Sequence, residues 1–196
     1  MYKVIGTVTS RAFRVLWALE EMGEAYELVH ALPRSESAMA HNASGKIPAL
    51  VDGDDVLTDS VAIMTYLADK HDKLTAPAGT PDRARQDAET LWLIDEFDAL
   101  LWSAAKHSFV LPEDMRQAAV KPAAKAEFER NVDLFAQRLR GEFLMGDQMT
   151  ISDILAVHCL NWAHSAKFEV TNPDVKAYAK RMRDRNAFKA VRALST

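Results

Sequence analysis

Three short stretches in the first third of the chain carry side chains able to bind or activate a ligand. Ser10 stands between an apolar, β-branched run at residues 2–7 and a helical pattern that begins at Arg11. The N–H groups and dipole of a helix start favour negative charge. A hydroxyl there can donate to a thiolate and lower its pKa below the free-cysteine value of about 8.5. Serine is also a common helix N-cap, so on local sequence both uses stand. Ile47-Pro48 opens a strand-like run, where a residue without an N–H belongs at a sheet edge or beside a ligand. Most X-Pro bonds are trans, and the residues alone predict a trans strand start. Asp59-Ser60 precedes a second helical pattern, whose N–H groups could hold a carboxylate or simply be capped. Together the three stretches suit an extended, thiol-containing peptide. Its thiol lies at Ser10, its backbone along Ile47 and its amino-terminal carboxylate at Ser60, with the Asp59 side chain free to pair with an ammonium.

The elements that must position these residues follow from the pattern of apolar residues. Ala12, Phe13, Leu16, Leu19 and Met22 share one helical face, and Gly23 is placed to end that helix. Residues 26–32 read as a second strand, stopped by Pro33. Residues 34–46 are polar and hold at most one irregular helix. Residues 47–51 and 56–58 flank Asp52-Gly53-Asp54-Asp55, a hairpin signal. A helix over 60–71 follows, with Asp59 or Ser60 as its cap. The order βαβαββα predicts a mixed sheet with helices on both faces. Beyond a Pro/Gly-containing linker the pattern is helical, over about 82–108, 115–140, 150–166 and 173–184. Two domains result, 1–75 and 86–196, joined by 76–85. Thr150-Ile151-Ser152-Asp153 fits a capping box and is read as purely structural.

Composition narrows the function classes. The 196 residues are 48% hydrophobic and 27% charged, which is the balance of a globular chain rather than a disordered or fibrous one. Lys+Arg number 24 and Asp+Glu 28, for a net charge of −4. All of that excess lies in residues 1–75, with 7 basic and 11 acidic side chains. Such a chain lacks the clustered positive charge that nucleic-acid binding needs. The seven basic residues between Lys176 and Arg192 read as a solvated helix face. Cys159 is the single cysteine, so no internal disulfide forms, as expected for a reducing compartment, and its apolar neighbours predict a buried small hydrophobe. Six scattered histidines form no metal set; neither Glu89/Glu96 nor His158/His164 has convincing ligand spacing. No stretch reaches the 18 apolar residues of a membrane span and no signal segment is evident, so a cytoplasmic protein is expected.

Four segments give the chain a family resemblance. S-R-A-F-R-V-L-W-A-L-E-E from Ser10, N-A-S-G-K-I-P-A-L-V-D-G from Asn42, L-T-D-S-V-A-I-M-T-Y-L from Leu57 and F-L-M-G-D-Q-M-T-I-S-D-I from Phe143 resemble the cytosolic glutathione S-transferases, in order and over about residues 2–190. The resemblance implies an α/β thioredoxin-like N-terminal domain, an all-α helical-bundle C-terminal domain, a homodimer, and glutathione as co-substrate without a metal. Ser10 matches the thiol-activating serine of the theta-like and other serine-type classes, four residues before Arg14, with Thr9 as the alternative hydroxyl. No tyrosine ends the first strand and no cysteine occupies the slot, which argues against the corresponding classes. By the same resemblance Ile47, before a Pro48 that the family keeps cis, pairs with the cysteinyl unit. Asp59 and Ser60 hold the γ-glutamyl end, and Lys46 and Arg34 approach the glycyl carboxylate. Asp59 is shorter than the family's usual glutamate, which weakens an ammonium contact.

The second substrate is expected between the first-domain loops and the first long C-terminal helix, where Trp102, His107 and Phe109 could form an apolar wall or serve packing. Trp92, Leu93, Phe97 and Leu101 are expected in the bundle core or at a dimer partner. The implied activity is attack of the glutathione thiolate on a small hydrophobic electrophile or a hydroperoxide. Isomerisation, dehalogenation or ether cleavage on the same site is a rival, and so is a non-catalytic interaction module, which the intact motifs disfavour.

Overall fold

The computed structural model describes residues 1–194. It divides into two units, 1–80 with 183–194, and 81–182. In the first unit, strands β1 (Tyr2–Gly6), β2 (Tyr26–His30), β3 (Ala49–Asp52) and β4 (Asp55–Thr58) form one sheet in the order β2-β1-β3-β4. β1 pairs parallel with β2 and antiparallel with β3, and the β3–β4 hairpin is antiparallel, with Asp52 opposite Asp55. Helices α1 (Ala12–Met22), α2 (Glu36–His41) and α3 (Ser60–His71) complete the expected βαβαββα order. Period-2 alternation divides β1 between the faces. Ile5 packs with Ala31, Ala38 of α2 and Ala49, while α1 and α3 pack together.

Helix α1 buries Ala12 through Leu19 and Met22, and Gly23 ends it in the left-handed conformation at φ 75°. At the far end of α3, Tyr2 Oη and His71 Nε2 lie 2.8 Å apart, tying the helix to the first strand.

The C-terminal segment departs from the expectation that placed it with the helical domain. Residues 183–194 belong to the first unit, through a helix α9 (Asn186–Ala193). The cause is apolar. Phe188 meets Phe13 and Trp17 edge-on, at centroid distances of 5.1 and 5.0 Å. The Arg185 fork also reaches both oxygens of Glu21, at 2.6 and 2.8 Å, a bidentate geometry that favours arginine.

The second unit holds α4 (Pro81–Leu93), α5 (Ala99–Ala105), α6 (Val120–Arg138), α7 (Ile151–Ser165) and α8 (Pro173–Arg183). The helix expected over 82–108 is interrupted by π-helical turns at Ile94–Asp98 and Lys106–Val110. Leu93, Phe97 and Leu101 are buried. Phe97 lies 4.5 Å from Phe128, which meets Phe168, while Phe135 meets Tyr178. The capping box at Thr150 and Asp153 forms as expected, and Cys159 is buried. Among the described residues no helix is long and apolar enough to cross a membrane, and no group of three or more His, Cys, Asp or Glu residues could hold a metal ion.

Candidate active site

Ser10 sits in the turn between β1 and α1, half-buried. Its Oγ accepts the Ala12 N–H at 3.1 Å and donates to the Thr7 carbonyl at 2.7 Å. The hydroxyl is therefore both acceptor and donor within the turn, while Arg11 holds the N-cap position of α1. As acceptor it satisfies an N–H at the start of α1. As donor it holds a proton on a backbone carbonyl that a stronger acceptor, such as a thiolate, can draw away. Thr9 is exposed, with its Oγ1 3.3 Å from that of the buried Thr7.

Asp59 and Ser60 form the start of α3. Asp59 has φ 69°, and its Oδ1 accepts the N–H groups of Val61 at 2.9 Å and Ala62 at 3.1 Å. Its carbonyl takes the Ile63 N–H at 2.9 Å. Oδ1 is thus engaged as the N-cap, one of the two caps expected for this helix. Aspartate is short enough to reach back to its own helix, which leaves Oδ2 outside the cap. Ser60 is the first helical residue, and its N–H also falls outside that cap. Its Oγ is buried and accepts a hydrogen bond from Arg14 Nη1 at 3.2 Å. Arg14 was expected only as a spacing marker, and its reach to the second helix start is new.

Close backbone approaches bring the remaining residues together. The Ile47-Pro48 bond is cis, which corrects the trans start read from the residues alone and agrees with the resemblance. A Cβ placed on Gly6 would lie 2.8 Å from the Ala12 Cβ and 3.6 Å from the Ile47 Cβ, so the end of β1, the start of α1 and Ile47 converge there. Gly45, at φ 66°, comes so near Arg34 that a Cβ would lie 3.0 Å from its Cα. The Arg34 N–H donates to the Gly45 carbonyl at 2.8 Å. Arg34 and Lys46 are both exposed on these joined loops, and Asn42 Nδ2 steadies the Lys46 carbonyl at 3.0 Å. Ser10, Arg34, Lys46, Ile47, Pro48, Asp59 and Ser60 all belong to the first unit.

Trp102, His107 and Phe109 lie in the second unit. Trp102 is half-buried in α5 and His107 half-buried in the second π-helical turn. His107 Nδ1 accepts the Gln117 N–H at 3.1 Å, which leaves Nε2 to carry the proton of the neutral ring. Phe109 is 69% exposed.

Comparison with known proteins adds the family. Sequence profiles of the glutathione S-transferase N-terminal and C-terminal domains match residues 10–70 and 99–186. Glutathione S-transferase 3 of Zea mays is 31% identical over 154 residues, 71% of this chain and 68% of that protein. The crystal structure of a glutathione transferase from Methylococcus capsulatus superposes with a TM-score of 0.88 and 26% identity, covering 99% and 98% of the two chains. The fold is shared, at 22% identity and a TM-score of 0.84, with the glutathione transferase URE2P6 of Phanerochaete chrysosporium, solved in complex with oxidised glutathione; 98% of this chain and 94% of that one are covered.

Proposed function

Because this chain belongs to the glutathione S-transferase family and is a glutathione transferase with glutathione as co-substrate, we propose that Ser10 is the group that activates the thiol. The carrying observation is the Ser10 hydroxyl at the start of α1, with its proton on the Thr7 carbonyl at 2.7 Å and its oxygen fixed by the Ala12 N–H. When the cysteinyl sulfur approaches, the proton turns from the carbonyl to the thiolate. The hydrogen bond and the helix dipole stabilise the anion, and the thiol releases its proton to solvent. The thiolate attacks the electrophile, a carbon–sulfur bond forms, and the leaving group departs with its electron pair. Positioning supplies the remaining acceleration.

Ile47 pairs with the cysteinyl backbone beside Pro48, Ser60 and Asp59 Oδ2 take the γ-glutamyl end, and Lys46 and Arg34 take the glycyl carboxylate. Their convergence in one unit supports this reading. Trp102, His107 and Phe109 contribute to an apolar site for a small electrophile, a role supported by the exposure of Phe109. Family membership supports a homodimer, and the single buried cysteine supports work in the reducing cytoplasm.

Kinetics with glutathione and a small aryl halide test the assignment. Ser10→Ala loses on the order of 10²–10³ in kcat, with KM for glutathione within a few-fold of the parent, and Thr9→Ala stays near the parent in both. Activity that survives Ser10→Ala but falls in Thr9→Ala transfers the role to Thr9. An electrophile panel separates transfer from isomerisation, dehalogenation and ether cleavage.

A further inference from the structure

Arg14 stands out among the groups around the two helix starts. It lies on α1 four residues after Ser10, within the run of apolar residues that packs the helix into the core, and is only 2% exposed. A guanidinium stays charged in a protein and is costly to bury. Among its contacts is the Ser60 hydroxyl, itself 2% exposed, at 3.2 Å. We infer that Arg14 is a positioning residue for glutathione. Through Ser60 it makes the start of α3 a donor site for an anionic group, the α-carboxylate of the γ-glutamyl unit. This rests on the glutathione site proposed above.

A guanidinium only donates, whereas a hydroxyl has one proton and two acceptor sites. The Arg14 bond occupies an acceptor site of Ser60 Oγ, so the Ser60 proton is directed to another group. Asp59 meanwhile caps Val61, Ala62 and Ile63, and the Ser60 N–H lies outside the cap. A ligand arriving at α3 therefore meets two donors from one residue, backed by a buried positive charge and the helix dipole. A carboxylate satisfies both donors, and its charge is favoured there. A primary amide at the same place offers a single acceptor oxygen and no charge. The inference thus concerns specificity: Arg14 sets the preference for a ligand with an ionised α-carboxylate.

The test begins with calorimetric titration of the wild-type protein with glutathione. Absence of binding refutes the site itself, whatever Arg14 does. With binding established, the same titration is run on Arg14→Met, Ser60→Ala and the double variant, using glutathione and its analogue amidated at the γ-glutamyl α-carboxylate. Each single variant is expected to weaken glutathione binding on the order of tenfold. The double variant is expected to fall within about twofold of the weaker single, because the two residues act as one unit. The preference for glutathione over the amide shrinks in every variant. KM rises while kcat at saturation stays within about twofold. Additive losses in the double variant, or unchanged discrimination against the amide in a folded Arg14→Met protein, overturn the inference. If Arg14→Met does not fold, Arg14→Lys decides. It keeps the charge but lacks the planar fork, so its discrimination must fall at least a few-fold, and parental discrimination overturns the inference.

Discussion

At the scale of single residues, the proposed site is economical: each group near the helix starts has a structural contact and is proposed to serve a ligand as well. Ser10 accepts an N–H for the helix and donates a proton that a ligand can draw away. Asp59 caps α3 with Oδ1, and its Oδ2 is the atom proposed to meet a ligand. The two tasks of Asp59 can be separated, because asparagine caps a helix about as well as aspartate but carries no charge. Asp59→Asn is expected to leave the melting temperature within about 2 °C of the parent, while raising KM for glutathione several-fold through loss of the ammonium contact. A lowered melting temperature with unchanged KM would assign the side chain to capping alone. Such double use also explains what the sequence could not resolve. The residue types at 10, 59 and 60 announce helix starts and ligand sites equally well. Only distances show which structural contacts each side chain makes and which atoms those contacts leave over.

Among the elements, the site depends on how closely β1, α1 and the loop before β3 approach one another. Gly6 is where they meet, and a Cβ there would stand 2.8 Å from that of Ala12. Neither neighbour is the mobile tip of a long side chain, so the added methyl must displace the start of α1. Gly6→Ala is expected to cost about 1–3 kcal/mol in urea unfolding and to lower kcat more than the stability loss alone explains, because Ser10 moves with the helix. Unaltered turnover in a folded Gly6→Ala protein would show that the placement of α1 is not critical. The elements were largely legible in the sequence. The hairpin at Gly53, the helix stop at Gly23 and the start at Asp59 are set by local chemistry. The contacts that span the chain were not. Arg14 and Ser60 are 46 positions apart, and the Arg185–Glu21 pair spans 164. Local periodicity carries no information about such pairs. Phe188 likewise gave no local sign that its helix packs against α1.

For the molecule as a whole, charge and burial set the terms. Residues 1–75 hold the entire net charge of −4, and the proposed ligand is itself an anion. Bulk attraction therefore cannot recruit it. In the proposed site recognition comes from local donors: the two helix starts, Lys46 and Arg34. In the second unit the Asp153 side chain is fully buried. Its Oδ1 accepts the Leu144 N–H and the Tyr178 hydroxyl, both at 2.8 Å, and its Oδ2 accepts the Thr150 N–H at 2.8 Å. The capping-box motif announced the Thr150 contact, but nothing in it foretold Tyr178. Burial raises the Asp153 carboxyl above its ordinary value of 3.8 despite these donors. Between 3.8 and the raised value the native chain keeps a proton that the unfolded chain releases. This group's contribution to stability therefore falls as pH rises through that window and is level on either side. Asp153→Asn turns an amide N–H₂ toward donors and should cost about 2–3 kcal/mol at neutral pH. It should also remove that slope from a series of urea unfolding curves. An unchanged slope would place the proton elsewhere.

Titrating the thiol in the binary complex measures whether the Ser10 hydroxyl stabilises a glutathione thiolate. Thiolate absorbance is followed against pH for the wild-type protein and for Ser10→Ala, each saturated with glutathione. The wild-type complex should ionise well below the free-thiol value of about 8.5, and the Ser10→Ala complex should return most of the way toward it. Superimposable titrations of the two proteins would show that the Ser10 hydroxyl does not stabilise the thiolate.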